Sequence, residues 1–290
     1  MKRTTLILGC GDIGIGLGQR LKAAGQRVVG VRRNAAALAG SGLEAAGADL
    51  TDSATLAALP DADVLVYVAS ADRFEEGAYR AAYPEGLKAV LAEFGARKRV
   101  PKRVFFVSST SVYPQQSGEE VDEASPAEPT GFAGALMREA EQALLDHELP
   151  GTAVRFSGIY GPGRDRLIRQ VREGRIAPVS PAMYTNRIHR DDCAGVLAHL
   201  IERSLAEEAV DDLYLASDCE PAPLHAVMSW LAQQLKVEAT ETIQSPLRRR
   251  ASKRCCNARL LASGYQFRYP SYREGYAQVL KEGGFLPEKA

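Results

Sequence analysis

Net charge is the first thing this 290-residue chain lacks: Lys plus Arg and Asp plus Glu both total 36. A neutral chain has no global field to steer it toward nucleic acid or an anionic membrane, so any basic site must be local. No apolar run reaches the roughly 18 residues a spanning helix needs. The stretch Thr4-Thr5-Leu6-Ile7-Leu8 behind Lys2-Arg3 is too short for the apolar core of a secretion signal. The expectation is a soluble, cytoplasmic protein with neither a membrane nor a nucleic acid as partner. The five cysteines (Cys10, Cys193, Cys219, Cys255, Cys256) are odd in number and have no C-x-x-C spacing, which argues against a zinc site and against a disulfide framework. No metal site is expected, and the adjacent pair Cys255-Cys256 reads as structural. Two further gaps are more specific. No tyrosine occurs between Tyr113 and Tyr160, and no lysine between Lys102 and Lys236.

What is present is enough for a large core, since 46% of the residues are hydrophobic. Short apolar runs alternate with Ala- and Leu-rich helical stretches, the pattern of an α/β protein with a doubly wound parallel sheet. Strands are expected over residues 4–8, 27–31, 62–69, 103–108 and 152–156, with a weak third strand before Asp49. Helical spacing of Ile13, Leu17 and Leu21 marks a helix that stops near Gly25. Residues 75–97 read as a long crossover helix and 134–148 as another. The apolar stripe Leu136, Met137, Ala140, Leu144 on the latter suits either packing on the sheet or a two-fold dimer face, so monomer and homodimer both remain open. Composition changes after Phe156. The expected organisation is a Rossmann-like domain from residues 1–157 plus about 185–217, and a smaller substrate-binding region from about 158–184 plus 218–290. Residues 187–216 are expected to return to the main sheet, ending in a strand at 213–216.

The opening Gly9-Cys10-Gly11-Asp12-Ile13-Gly14 follows an apolar strand and opens an amphipathic helix, the context that turns a weak G-x-G-x-x-G match into a dinucleotide-binding signal. Gly9 permits the tight turn, Gly11 the approach of backbone amides to a pyrophosphate, and Gly14 the seating of helix on strand, with the helix N-terminus stabilising phosphate charge. Gly16 and Gly18 are read as close-packing positions. At the end of the second strand, where NAD-specific sites carry a carboxylate for the ribose hydroxyls, stands Arg32-Arg33. Two guanidinium groups there suit a 2′-phosphate, so NADP is the expected cofactor, with NAD the alternative. Asp49 and Leu50 are candidates for the adenine edge, and Ala69 and Ser70 for the ribose and pyrophosphate side.

Taken together, the Gly loop, Gly47-Ala48-Asp49-Leu50-Thr51-Asp52, the segment from Val104 through Tyr113, the segment from Val154 through Gly163, and Ile188-His189-Arg190-Asp191-Asp192 resemble the extended short-chain dehydrogenase/reductases of the NAD-dependent epimerase/dehydratase superfamily. The resemblance implies a serine near the end of the fifth strand, here Ser109, and a tyrosine with a lysine four residues on. Because a free phenol titrates near 10, a nearby ammonium is needed to make it useful at neutral pH. Aligned on Ala140-Glu141-Gln142, those positions fall on Ala133 and Met137, which cannot move protons. Arg138 lies one residue out of register and cannot give up its proton. The chain thus resembles an atypical member.

Other groups are then candidates for the proton: Tyr113, four residues beyond Ser109; Tyr160; and His189, whose imidazole titrates near 6.5. The stretch around His189 also reads as a turn opening a helix, with Asp191 or Asp192 as cap. Tyr160, Arg164 and His189 are candidate substrate contacts. So are Arg248 and Arg249 in the dense basic run that continues to Lys253 and Arg254, which is otherwise a solvated face. The reading is an NADP(H)-dependent oxidoreductase or epimerase-like enzyme for a small polar substrate, sugar-derived being one option, with catalytic candidates Ser109 and Tyr113. The alternative is a non-catalytic NADP(H)-binding sensor.

Overall fold

In a computed structural model of the chain, residues 2–242 and 252–286 are described. The chain falls into two compact units. The first runs to Tyr113 and resumes over Ala127–Arg155 and Cys193–Tyr214, and the second comprises Pro114–Pro126, Phe156–Asp192 and the chain from Leu215 onward.

The first unit is built on a seven-stranded sheet. Its first five strands are β1 (Thr4–Leu8), β2 (Arg27–Arg32), β3 (Glu44–Gly47), β4 (Val64–Tyr67) and β5 (Arg103–Ser109), followed in sequence by Gly151–Phe156 and Leu213–Ala216. The spatial order is Leu213–Ala216, Gly151–Phe156, β5, β4, β1, β2, β3. The pairings from β3 to β5 are parallel. All residues of β1 and β4 are buried, as expected for strands covered on both faces. The chain leaves β1 toward β2 on one side and resumes at β4 on the other. That reversal opens a crevice beyond the carboxyl ends of β1 and β4, where α/β sheets of this type bind ligands.

Strand β4 is shorter than the apolar run 62–69 suggests, because the chain turns away after Tyr67 to meet the glycine turn. The crossover expected over 75–97 is interrupted: Glu76–Arg80 and Gly86–Gly95 are α-helical and Ala81–Glu85 forms a π turn around Pro84, a residue without the N–H that a regular helix needs. The next helix spans Phe132–Leu145. Its stripe Leu136, Met137, Ala140 and Leu144 is buried within the chain itself, so those side chains pack inward and offer no dimer face.

The second unit departs from expectation at Arg187–His189. Instead of joining the main sheet, this strand pairs in parallel with Gly158–Tyr160 in a separate two-stranded sheet. Only the following helix Arg190–Leu205 and the strand Leu213–Ala216 carry the chain back. A core of its own, including Ile168, Val171, Val227, Met228, Leu231 and Val279, fills this unit. Among the described residues no helix is long and apolar enough to cross a membrane, and no group of three or more His, Cys, Asp or Glu is arranged to hold a metal. The cysteines are free thiols. Burial pushes Cys10 up to about 11 and Cys255 up to about 12.

Candidate functional site

Gly9 leaves β1 at φ +80°, in the left-handed region open to glycine without steric penalty. A Cβ there would lie 2.4 Å from Ala69 Cα, so the turns after β1 and β4 meet backbone to backbone. The Gly9 and Cys10 amides both donate to the Val31 carbonyl at 3.0 Å, tying the turn to β2. Helix α1 (Asp12–Ala23) starts at Gly11, and no side chain caps it. Its positive end is therefore left to solvent or a ligand. A Cβ on Gly14 would lie 2.9 Å from Ile7 Cγ2, and one on Gly18 would lie 2.6 Å from Leu43 Cδ1. Gly18 serves close packing as expected, whereas Gly16 would make only an ordinary 3.6 Å contact with Ala194.

A cleft of about 480 Å³ opens at these turns, lined by Gly9, Gly11, Arg32, Arg33, Asp49, Leu50, Ala69 and Ser70. Asp12, Ile13 and Gly14 form the first turn of α1 and are not among its lining residues. The cleft also takes in Asn34, Thr51, Tyr67, Asp72 and Ala78, which sequence reasoning missed. Asn34 and Thr51 flank predicted positions and were within reach of it. Asp72 was not, because its partner Arg33 is 39 residues away. The amide and hydroxyl of Thr51 donate to Asp49 Oδ1 at 2.9 and 2.7 Å, and these bonds hold the Asp49 carboxyl below its usual range. The glycine cradle, the uncapped helix start and the paired guanidinium groups suit a dinucleotide. Gly9, Gly11 and α1 would hold its phosphates.

At the carboxyl end of β5, Ser109 is half-buried and its Oγ accepts from the Ser111 amide at 3.1 Å, a bond that does not use the hydroxyl proton. A Cβ on Gly134 would lie 2.7 Å from the Ser111 carbonyl oxygen, so the helix Phe132–Leu145 starts directly against this turn. Ala133 is half-buried on it and Met137 buried. Tyr113 is 2% exposed, and its hydroxyl accepts from Arg155 Nη1 at 2.8 Å. Arg155 in turn donates from Nε and Nη2 to the two carboxylate oxygens of Glu141 at 2.8 and 2.6 Å. Ser108 Oγ and Arg138 Nη1 complete the Glu141 shell. Near the same helix start Phe132 packs on Phe74 and Tyr79, and Tyr79 on Tyr83. Burial pushes the Tyr83 phenol up. No sequence cue separated these tyrosines from an ordinary helix face.

In the second unit, Tyr160 and Arg164 line a cavity of about 510 Å³. His189 is fully buried and is not among its lining residues. Its Nδ1 accepts from the Asp191 amide at 3.2 Å and its Nε2 faces Gln278 Oε1 at 3.2 Å. Burial lowers its pKa, which keeps the ring neutral. His189 itself therefore does the capping expected of an aspartate. Asp192 accepts from Tyr265 Oη and from the amides of Arg268 and Tyr269 at 2.7, 2.8 and 3.0 Å, fastening the helix start to that loop. Arg248 and Arg249 lie outside the described residues. The solvated basic run does not extend to Lys253, which is 4% exposed in a strand paired with Glu119–Val121, while Arg254 Nε donates to the Gly118 carbonyl at 2.9 Å.

Residues 5–210 match the model of the NAD dependent epimerase/dehydratase family, and the chain belongs to that family. A solved structure from Methylobacillus flagellatus, provisionally named an NAD-dependent epimerase/dehydratase, is 37% identical with a TM-score of 0.82, covering 98% of this chain and all of that one. The human epimerase family protein SDR39U1 (isoform 2), solved with NADPH, shares the fold at 21% identity and a TM-score of 0.78, covering 96% of this chain and 99% of that one. A curated relative from a Streptomyces species, named 3-diazoavenalumate denitrifying reductase, is 26% identical over 205 residues, which are 62% of this chain and 64% of the relative. The alignment thus spans less than two thirds of that protein.

Proposed function

We propose that the protein is an NADP(H)-dependent oxidoreductase whose second unit binds the substrate. The observation that carries this reading is the Arg32-Arg33 pair at the mouth of a glycine-built cleft, where a 2′-phosphate would meet two guanidinium groups instead of the carboxylate of an NAD-specific site. The Streptomyces relative is named a reductase, which favours reduction.

When bound, the dinucleotide supplies hydride. The chain's own part is to orient and to exclude water. Ser109 donates its hydroxyl proton to the substrate oxygen and fixes the carbonyl. Tyr113 is a buried anchor rather than a donor, because it is 2% exposed and packed against the Arg155 guanidinium. Losing a positioned acid typically removes about a hundredfold to ten-thousandfold of rate, so slow turnover remains compatible with Ala133 and Met137 at the positions of the usual pair. Those two residues favour a second reading, an NADP(H)-binding sensor without chemistry. The test is calorimetric titration with NADPH and NADH, followed by absorbance assays against a panel of aldehydes and keto sugars. NADPH binding with turnover that falls in Ser109→Ala supports the enzyme. NADPH binding without turnover on any member, unchanged by Ser109→Ala, selects the sensor, and binding of neither nucleotide refutes both.

A further inference from the structure

Within the second unit, Arg187 is a cation short of a counter-charge. Its side chain is 5% exposed and lines the 510 Å³ cavity. Nη2 donates to Thr185 Oγ1 at 2.5 Å, the guanidinium lies over the Tyr272 ring at 5.5 Å, and among the described residues Nη1 has no hydrogen-bond partner. A desolvated guanidinium left without an anion is among the most unfavourable groups a fold can bury. Asp218 is the carboxyl whose charge Arg187 feels, yet burial pushes it up to about 8, and its Oδ2 also lacks a partner. At neutral pH it is therefore mostly protonated and compensates little. Arg164 also lines the cavity, and Met183, Leu224, Met228 and Tyr276 contribute apolar surface to it.

We propose that this cavity binds a small organic anion with an apolar body, its oxyanion held by Arg187 and its body against Met183, Met228 and Tyr276. The identification of that anion as the substrate rests on the proposed function; the binding itself does not. The volume lies within the range of sites for small organic ligands. Arg187 shares the lining with thioether and aromatic groups as well as with Arg164, Asp165, Arg166 and Arg169, a mixture that favours an anion with an apolar body over a neutral sugar.

The experiment is calorimetry on the full chain without nucleotide, using benzoate, its neutral isostere benzamide, and inorganic phosphate. Benzoate is expected to bind saturably with a dissociation constant in the range of about 0.1–10 mM, with benzamide and phosphate each at least about tenfold weaker. Arg187→Met is expected to lose about tenfold or more of the benzoate affinity, and Arg187→Lys to lose less. Equal binding of benzoate and benzamide, phosphate binding tighter than benzoate, unchanged affinity in a folded Arg187→Met, or no benzoate binding would each overturn the proposal. The comparison of the three probes on the unaltered chain decides it even where Arg187→Met does not fold. A parallel NADPH titration separates the two claims: NADPH without benzoate sinks this site alone, and benzoate without NADPH sinks the oxidoreductase reading alone.

Discussion

Arg33 Nη2 donates to Asp72 Oδ2 at 2.5 Å, joining the end of β2 to the loop beyond β4, and both residues line the nucleotide cleft. The bond keeps the Arg33 guanidinium firmly protonated. On the proposed NADP(H) reading it also occupies a donor that a 2′-phosphate would use, which would make Asp72 an internal competitor.

Asp72→Asn is therefore expected to tighten NADPH by up to about fivefold, the scale of an exposed ion pair, while leaving NADH unchanged. Arg32→Ala combined with Arg33→Ala should weaken NADPH far more than NADH. Fluorescence titration of both nucleotides checks the pair, and equal changes for the two would remove these residues from 2′-phosphate recognition.

Glu141 and Arg155 form an ion pair with side-chain exposures of 0% and 2%. Breaking one side strands the other charge, so Arg155→Met should destabilise by about 3–5 kcal/mol. Glu141→Leu with Arg155→Met should recover much of that loss. Urea unfolding of the unaltered chain and the two variants measures it, and a mild Arg155→Met would mean that Glu141 is already compensated by Ser108 and Arg138.

Asp218 makes a pH prediction. Its folded pKa is raised from 3.8 to about 8, so the fold prefers the protonated form. Its contribution is fully present below the ordinary carboxylate range and is lost as pH rises toward 8, at about 1.4 kcal/mol per unit. Asp218→Asn should flatten the stability profile between pH 4 and 8, relative to the unaltered chain, by on the order of a few kcal/mol. Identical slopes for the two proteins would show that Asp218 is ionised inside the fold.

Gly9→Ala puts a methyl group against Ala69 at a backbone angle that alanine avoids. It should abolish NADPH binding and destabilise by more than about 1 kcal/mol. Gly25→Ala meets nothing within 4 Å at φ +86° and provides the control for the backbone effect alone. Retained nucleotide affinity in Gly9→Ala would show that the turn is not the phosphate cradle.

Much of the first unit was legible because its signals are local. Strand, Gly-rich turn and helix follow one another within 23 residues, and the backbone roles of Gly9 and Gly14 can be read from their neighbours in sequence. What stayed hidden depends on distant partners. Arg155 looks out of place in a buried strand until Glu141 is seen on the helix before it. Arg187–His189 is a three-residue strand whose sequence says nothing about preferring Gly158–Tyr160 to the main sheet. His189 kept two readings open, a group that handles protons or substrate and a member of the turn that opens a helix; its burial and its bond from the Asp191 amide favour the turn.

The π turn at Ala81–Glu85 shifts the backbone bonding by one residue. The Gly86 amide donates to the carbonyls of Ala81 and Tyr83, so the Ala82 oxygen, which a regular helix would have served from Gly86, takes the Tyr67 phenol instead at 2.7 Å. A Cβ on Gly86 would lie well inside van der Waals contact of that phenol oxygen, so the clasp requires glycine. Tyr67, Ala81 and Ala82 all belong to the wall of the nucleotide cleft. One phenol thus fixes the helix to the floor of the sheet at the place where a cofactor would press, and any ligand that widened the cleft would have to break that fastening first.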